Sequence, residues 1–407
     1  MRELYELNET PPLGTLPRRM WAQVIRPERY GQPKQALAPE AVPVPTELGP
    51  RDVLVWVKAA GINYNNVWAA TGSPVDVVAR RRQDPYFPDQ APFHIGGSDG
   101  AGIVWKVGRD VTQVRVGDEV VLHCGVYADE HREELTGEDP VFAPSFRTWG
   151  YETNYGAFAQ FARVRETQCV PRPQQLGWVE SAAYMLVGAT AYRMLHGHAP
   201  HAVRRGDVVL VWGGAGGLGS MAIQLAREAG AFPIAVISGD EKREHCTRLG
   251  AVGCIDRRRF DHWGVPPRVS DPRYGAWLEQ ARAFGAAIWD VLGERKSPRI
   301  VVEHPGESTF ATSAFCCASG GMVVTCAGTT GYTAAFDLRH VWMRGKRLQG
   351  SHFANDAECA ALNRLVAEGR VEPCLGARYT FAELPEAHQA MFDNRHPAGN
   401  MAGTVRG

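Results

Sequence analysis

Over the first 180 or so residues, apolar positions come in short alternating or continuous runs broken by Gly, Pro and Asp, the pattern of strands joined by turns. A strand is predicted at 20–25 inside a Pro-rich irregular arm that extends through Pro50, and a partly exposed strand at 51–60, followed by the polar group Gly61-Ile62-Asn63-Tyr64-Asn65-Asn66-Val67-Trp68. Short apolar runs at 96–108 and 114–121, separated by Gly and Asp turns, and a strand-like run at 155–164 complete a compact β-rich region. The acidic, proline-bearing and aperiodic stretch 129–147 reads as a surface loop.

From about residue 180 the period changes. Helical spacing at 182–195 leads to a strand at 208–211, a helix at 218–229 stopped by Gly230, a strand at 233–237, a helix at 241–249 and a short strand at 253–255. Further strands at 300–303 and 321–325 supply the second half of a β-α-β nucleotide-binding arrangement. A strand is expected at 347–353, a helix at 356–368 ending near Gly369, and a short helix within 381–395.

The densest signal lies where the strand 208–211 enters Trp212-Gly213-Gly214-Ala215-Gly216-Gly217-Leu218-Gly219 and leaves as an apolar-faced helix. Gly214, Gly216 or Gly217, and Gly219 allow tight turns and close ligand approach, and Leu218 stands in the first turn, where free N–H groups and the positive helix end face a pyrophosphate. A glycine-rich pattern alone also suits an ordinary strand–helix turn; the strand before it and the helix after it favour the dinucleotide site.

Composition narrows the function classes. The chain has 407 residues, enough for two domains, with 44 basic and 44 acidic side chains, so bulk charge offers nothing to a nucleic acid or an anionic membrane. No apolar run reaches membrane-spanning length and the first residues lack the order of a secretory signal, so a cytoplasmic protein is expected. The nine cysteines are scattered without a closely spaced ligand quartet, which argues against a structural zinc lobe or a disulfide scaffold and for buried thiols.

The end of the second nucleotide strand selects the cofactor. A carboxylate there would accept from a ribose 2′-hydroxyl, whereas Ser238, followed by Lys242 and Arg243 and joined by Arg257 from the next turn, suits a 2′-phosphate, so NADPH is favoured over NADH. Lys242 and Arg243 alone also suit an exposed helix face. Asp240 opposes the charge of this group unless it caps its own backbone.

Four separated segments agree in order with one family. Asn63-Tyr64-Asn65, Trp149-Gly150-Tyr151-Glu152-Thr153-Asn154-Tyr155-Gly156, the glycine motif, and Lys346-Arg347-Leu348-Gln349-Gly350-Ser351-His352-Phe353-Ala354-Asn355 together resemble the crotonyl-CoA carboxylase/reductase family of medium-chain dehydrogenase/reductases, over about residues 18 to 395. The resemblance implies an α/β fold in which a Rossmann domain is inserted in a GroES-like β-rich catalytic domain, with boundaries expected at 1–185, 186–344 and 345–407. It implies NADPH-dependent, zinc-independent reductive carboxylation of a 2-enoyl-CoA with carbon dioxide. The alternative is a non-carboxylating enoyl-CoA or quinone reductase on the same scaffold. A homodimer or homotetramer assembled through the nucleotide-binding domain is expected on the same ground.

By the same resemblance Asn63, with Asn65 second, supplies the asparagine of a carbon dioxide pocket, Tyr151 its aromatic wall, Glu152 the neighbouring carboxylate that orients His352 or a water, and His352 a donor toward carbon dioxide. Taken singly, the asparagines suit loop caps, Glu152 a surface carboxylate and His352 a core histidine; their joint occurrence points to a site. Asp99 and His123 are expected in structural or cofactor-side roles, and Arg80, Arg81 and Arg82 to coat a loop or meet CoA phosphates. No catalytic zinc is expected, since the polar segment offers Asn63 in place of a cysteine. The chain departs from the family where Asn400-Met401-Ala402-Gly403 stands in place of a Gly-Lys-Val-Gly-like ending.

Overall fold

The protein is described from a computed structural model, over residues 2–405. It divides into two compact units, one formed by the chain up to Leu186 together with the chain from Phe353 onward, the other by Val187–His352.

The first unit is built on the long strand Asp52–Ile62, whose residues Val53 to Val57 are all buried. Gly100–Val107 pairs along one edge of this strand, while the other edge is shared: Phe161–Arg165 pairs with residues 52–56 and Asn400–Thr404 with residues 59–62. A strand covered on both edges and both faces needs a nearly continuous apolar run, and Val-Leu-Val-Trp-Val supplies it. The departing C-terminal segment is therefore a central strand: Met401 is 2% exposed and faces Ile62 in register, and Asn400 Nδ2 donates to the Pro373 carbonyl at 2.7 Å. The polar group after Ile62 turns into the helix Tyr64–Thr71, which the sequence did not announce.

The second unit holds a six-stranded parallel sheet in the spatial order Gly253–Asp256, Phe232–Ile237, Val208–Val211, Ile300–Glu303, Met322–Thr325, Arg347–Gly350. Strand order reverses between Val208–Val211 and Ile300–Glu303, the switch point at which such sheets bind ligands beyond their carboxyl ends. The last strand pairs with Met322–Thr325, so this unit runs to His352 and not to 344 as expected from sequence. A further helix, Arg273–Leu292, makes the crossover to Ile300–Glu303; its Tyr274, Trp277, Ala281, Phe284 and Ile288 are buried. Phe284 stacks on Trp212 with ring centroids 5.5 Å apart, inside a core that also takes Val208, Leu210, Ile234 and Val301.

The nine cysteines are free thiols, eight of them buried. Among the described residues no helix is long and apolar enough to cross a membrane.

Candidate active site

The glycine turn is shaped by contacts that forbid side chains at some positions and leave one open. Gly213 has φ +59°, and a Cβ there would come 2.5 Å from His304 Nε2. A Cβ on Gly219 would lie 2.3 Å from the Gly213 carbonyl, and one on Gly214 would lie 2.6 Å from Ala235 Cβ, so both glycines serve close packing of the turn on the sheet and helix. Gly216 differs: with φ −76° it accommodates any residue, and a Cβ would meet nothing nearer than the Gly213 oxygen at 3.4 Å. The helix Gly217–Glu228 follows, and its first i→i−4 bond runs from Ser220 N to Gly216 O at 2.8 Å. The N–H groups of Gly217, Leu218 and Gly219 precede that bond, which leaves them as the donors of an anion cradle and fits a pyrophosphate.

At the end of Phe232–Ile237, Lys242 Nζ donates to Ser238 Oγ at 2.9 Å, so hydroxyl and ammonium stand together. Arg243 turns elsewhere, donating to Asp240 Oδ1 at 2.9 Å and to the Cys254 carbonyl at 3.1 Å. Asp240 thus spends its charge on Arg243 and caps no backbone. The Arg257 guanidinium lies 5.3 Å from the centre of the Trp263 ring. Of the four residues expected around a 2′-phosphate, the structure pairs Ser238 with Lys242 and gives Arg243 and Arg257 partners of their own. A hydroxyl and an ammonium at a strand end without its own carboxylate fit that phosphate.

Two residues with no role assigned from sequence brace the switch point. Glu303, at the end of Ile300–Glu303, is fully buried and accepts from Gly306 N at 3.1 Å, Thr309 Oγ1 at 2.7 Å and Ser313 Oγ at 2.5 Å. Burial pushes its carboxyl up to about 7. Ser313 Oγ also accepts from Trp212 Nε1 at 2.7 Å, which connects Glu303 to the residue before the glycine turn. His304 bonds the Trp212 backbone and is held at about 4 by burial, hence neutral. The signal was a strand that ends in Glu-His-Pro-Gly, since residues just past strand ends at a switch point are where ligands arrive.

In the other unit, Asn63 stands before the helix Tyr64–Thr71 with extended backbone, but its side chain makes no capping bond. Instead Nδ2 donates to Asp99 Oδ2 at 3.0 Å, and both residues are buried. Asn65 Nδ2 donates to Ser98 Oγ at 2.7 Å, and Asn66 Oδ1 accepts from Gly97 N at 2.9 Å, so the asparagine run is bonded to 97–99 along its length. The helix also carries Trp68, whose ring centre is 6.4 Å from that of Tyr151. Glu152 is no loose surface acid: Oε2 accepts from Thr148 N at 2.8 Å, Oε1 faces Arg80 Nη2 at 3.7 Å, and its side chain is 14% exposed. Asn154 fastens the same loop to the neighbouring strand by accepting from Ile95 N at 2.8 Å.

The Arg80–Arg82 run does not simply coat a loop. Arg81 is 1% exposed and donates to the Ala91 and Phe93 carbonyls at 3.0 and 2.8 Å. The asparagine segment and the Tyr151–Glu152 loop are thus brought together within one unit, whereas His352, exposed, is the last residue of the nucleotide unit. Among the described residues, no group of three or more His, Cys, Asp or Glu side chains is arranged to hold a metal ion.

Residues 49–174 match the alcohol dehydrogenase GroES-like domain family and residues 217–368 the zinc-binding dehydrogenase family. A crotonyl-CoA carboxylase/reductase from Cereibacter sphaeroides is 50% identical over 405 residues, covering 100% of this chain and 92% of the relative. Among solved structures, the crotonyl-CoA carboxylase/reductase AntE in complex with NADP superposes with TM-score 0.94 at 52% identity, covering 100% of both chains. The 2-octenoyl-CoA carboxylase reductase CinF in complex with NADP and 2-octenoyl-CoA superposes with TM-score 0.87 at 34% identity, covering 96% of this chain and 88% of the other. With this likeness running the full length of the chain and through both of its units, the protein belongs to the crotonyl-CoA carboxylase/reductase family of medium-chain dehydrogenase/reductases.

Proposed function

We propose that this protein catalyses the NADPH-dependent reductive carboxylation of a 2-enoyl-CoA, crotonyl-CoA or a longer analogue, to an alkylmalonyl-CoA. The observation that carries this reading is the cluster in the β-rich unit: the Asn63 helix packs through Trp68 on Tyr151, beside a Glu152 already fixed by its own loop. The names of the full-length relatives supply the substrate class.

NADPH, when bound, supplies hydride to the β carbon of the enoyl thioester. Gly216, Gly217, Leu218 and Gly219 hold its pyrophosphate and Ser238 with Lys242 its 2′-phosphate. Charge that develops on the thioester oxygen and α carbon requires donors fixed in advance, because donors that must reorient lose most of their electrostatic worth. Asn63 gives an amide N–H to carbon dioxide, Tyr151 walls the gas from water, and Glu152 orients a water or a donor. His352 is the histidine that the family likeness assigns to the same step. Exclusion of water decides whether carbon dioxide or a proton captures the enolate.

We further infer a homodimer or homotetramer in the cytoplasm, where NADPH and acyl-CoA thioesters are available. Tyr332, Leu338, Trp342 and Met343 are each more than 60% exposed, and the edge strand Arg347–Gly350 carries Leu348 at 37%. A second copy that covers this edge removes that apolar surface from water. Light scattering on the purified protein tests the assembly, a monomer at micromolar concentration being the contrary result.

The activity is tested by incubating the protein with NADPH and crotonyl-CoA, with and without labelled bicarbonate plus carbonic anhydrase, and weighing the acyl-CoA products. Labelled ethylmalonyl-CoA is expected. Butyryl-CoA under both conditions would instead identify a simple reductase.

A further inference from the structure

A buried acid stands behind the amide on which the proposed carboxylation depends. Asp99 is fully buried, and each of its carboxyl oxygens faces one donor: Oδ1 takes the backbone N–H of Leu186 at 2.7 Å, and Oδ2 takes Asn63 Nδ2 at 3.0 Å. Its backbone is fixed as well, since its carbonyl accepts from Gly61 N at 3.1 Å and a Cβ on Gly61 would come 2.6 Å from its own. Asn63 has given up the capping bond that its position before the helix offers. Its side chain answers only to Asp99 among the described residues.

We propose that Asp99 is the positioning residue of Asn63, and that the proton on its carboxyl group decides which side of the Asn63 amide is presented to substrate. The inference rests on Asn63 acting as the donor to carbon dioxide. Leu186 N–H needs an acceptor, so a proton on Asp99 belongs on Oδ2, the oxygen that faces Asn63. The acid O–H then donates to the Asn63 oxygen, the amide turns over, and both amide N–H groups are directed away from Asp99 toward the ligand. With the proton gone, Oδ2 accepts one N–H from Asn63, and the amide oxygen, a poor partner for an oxygen of carbon dioxide, takes the outward side beside the single N–H that is left.

The proton is held within the working range. Burial pushes the Asp99 carboxyl up to about 8, opposed by the bonds from Asn63 and Leu186. The other titratable groups in electrostatic contact with it are Tyr184, Cys124 and Cys359, each buried and each raised by burial, so all stay neutral there. No cation is among the groups that act on it, which are Asn63 and Leu186.

Product partition tests the inference. At fixed dissolved carbon dioxide, the ratio of ethylmalonyl-CoA to butyryl-CoA is measured between about pH 7 and about pH 9 for the wild type, D99N and N63A. The neutral fraction of an acid that titrates at about 8 falls about tenfold over that interval, and the wild-type ratio is expected to follow it. D99N copies the protonated acid, its oxygen accepting from Leu186 and its amide donating to Asn63, so its ratio should lose the inflection. A wild-type ratio without an inflection, or an inflection retained in D99N, overturns the role of Asp99. If N63A keeps the wild-type ratio, the assignment of Asn63 itself fails, a result distinct from both.

Discussion

In the nucleotide unit the groups that fit a cofactor lie on two neighbouring strand ends, Gly213–Gly219 and Ser238–Lys242, and much of the work is done by backbone. In the β-rich unit most of the contacts that set the candidate site join distant parts of the chain: Asn63 to Asp99, Arg80 to Glu152, Trp68 to Tyr151, Ile62 to Met401. A site made of backbone tolerates little at a few glycines and much elsewhere. A site made of side-chain pairs fails by halves, because removal of one partner leaves the other aimed wrongly. On the proposed function, reduction depends on the first kind of site and the choice between carbon dioxide and a proton on the second.

The sharpest break in this contrast is Gly219→Val. Its Cβ would lie 2.3 Å from a backbone oxygen that has no room to move, so a loss of about 3 kcal/mol or more is expected, read as a lower Tm and no NADPH binding. Gly216→Ala is the matched control: the fold should keep its Tm, while NADPH affinity, read by fluorescence titration, should fall by about a hundredfold as the methyl enters the phosphate cradle. Wild-type affinity in G216A would place the pyrophosphate elsewhere. Lys242→Ala should weaken NADPH by about tenfold and leave NADH unchanged, the loss of one charge-assisted bond; equal effects on both would refute a 2′-phosphate contact.

A further effect concerns pH and stability. His94 and His388 are buried and His304 is half-buried, and desolvation mainly holds His94 at about 3, His388 at about 4 and His304 at about 4, against an ordinary value of 6.5. At these histidines the unfolded chain therefore binds more protons than the native one between about pH 6.5 and about pH 4. The histidine contribution is full above the unfolded value and falls with pH across that window, by at most about 1.4 kcal/mol per pH unit for each histidine, while the raised carboxyls of Asp99 and Glu303 contribute with the opposite sign. Thermal melts at pH 7, 6 and 5 of the wild type and of His388→Asn check the sign: the variant has no such proton to gain and should lose less Tm toward pH 5, and an equal or larger loss would contradict it.

The same contrast explains what was legible in the sequence. The strand, glycine turn and helix around Gly213–Gly219 could be read because the fold there is a local pattern. The boundary at 345 was misplaced because the Arg347–Gly350 strand owes its membership to parallel pairing with Met322–Thr325, which no local feature announces. The helix Arg273–Leu292 did carry its signal, Tyr274, Trp277, Ala281, Phe284 and Ile288 at alternating steps of three and four, diluted by Gly, Arg and Ala between them. In the β-rich unit, motif likeness singled out Asn63, Tyr151 and Glu152, but Asp99 and Arg80 acquire meaning only from partners remote in sequence. Arg81 shows the same limit: an arginine in a basic run reads as exposed until the carbonyls of Ala91 and Phe93 enclose it.

The division between the two units is tested most directly by Glu152→Gln together with Asn63→Ala, each assayed for NADPH consumption and for product mass with crotonyl-CoA under saturating carbon dioxide. Both variants are expected to continue to oxidise NADPH while the product shifts from ethylmalonyl-CoA toward butyryl-CoA. Variants that lose NADPH oxidation and keep the wild-type product ratio would contradict it, since the same residues would then serve reduction and not the capture of carbon dioxide.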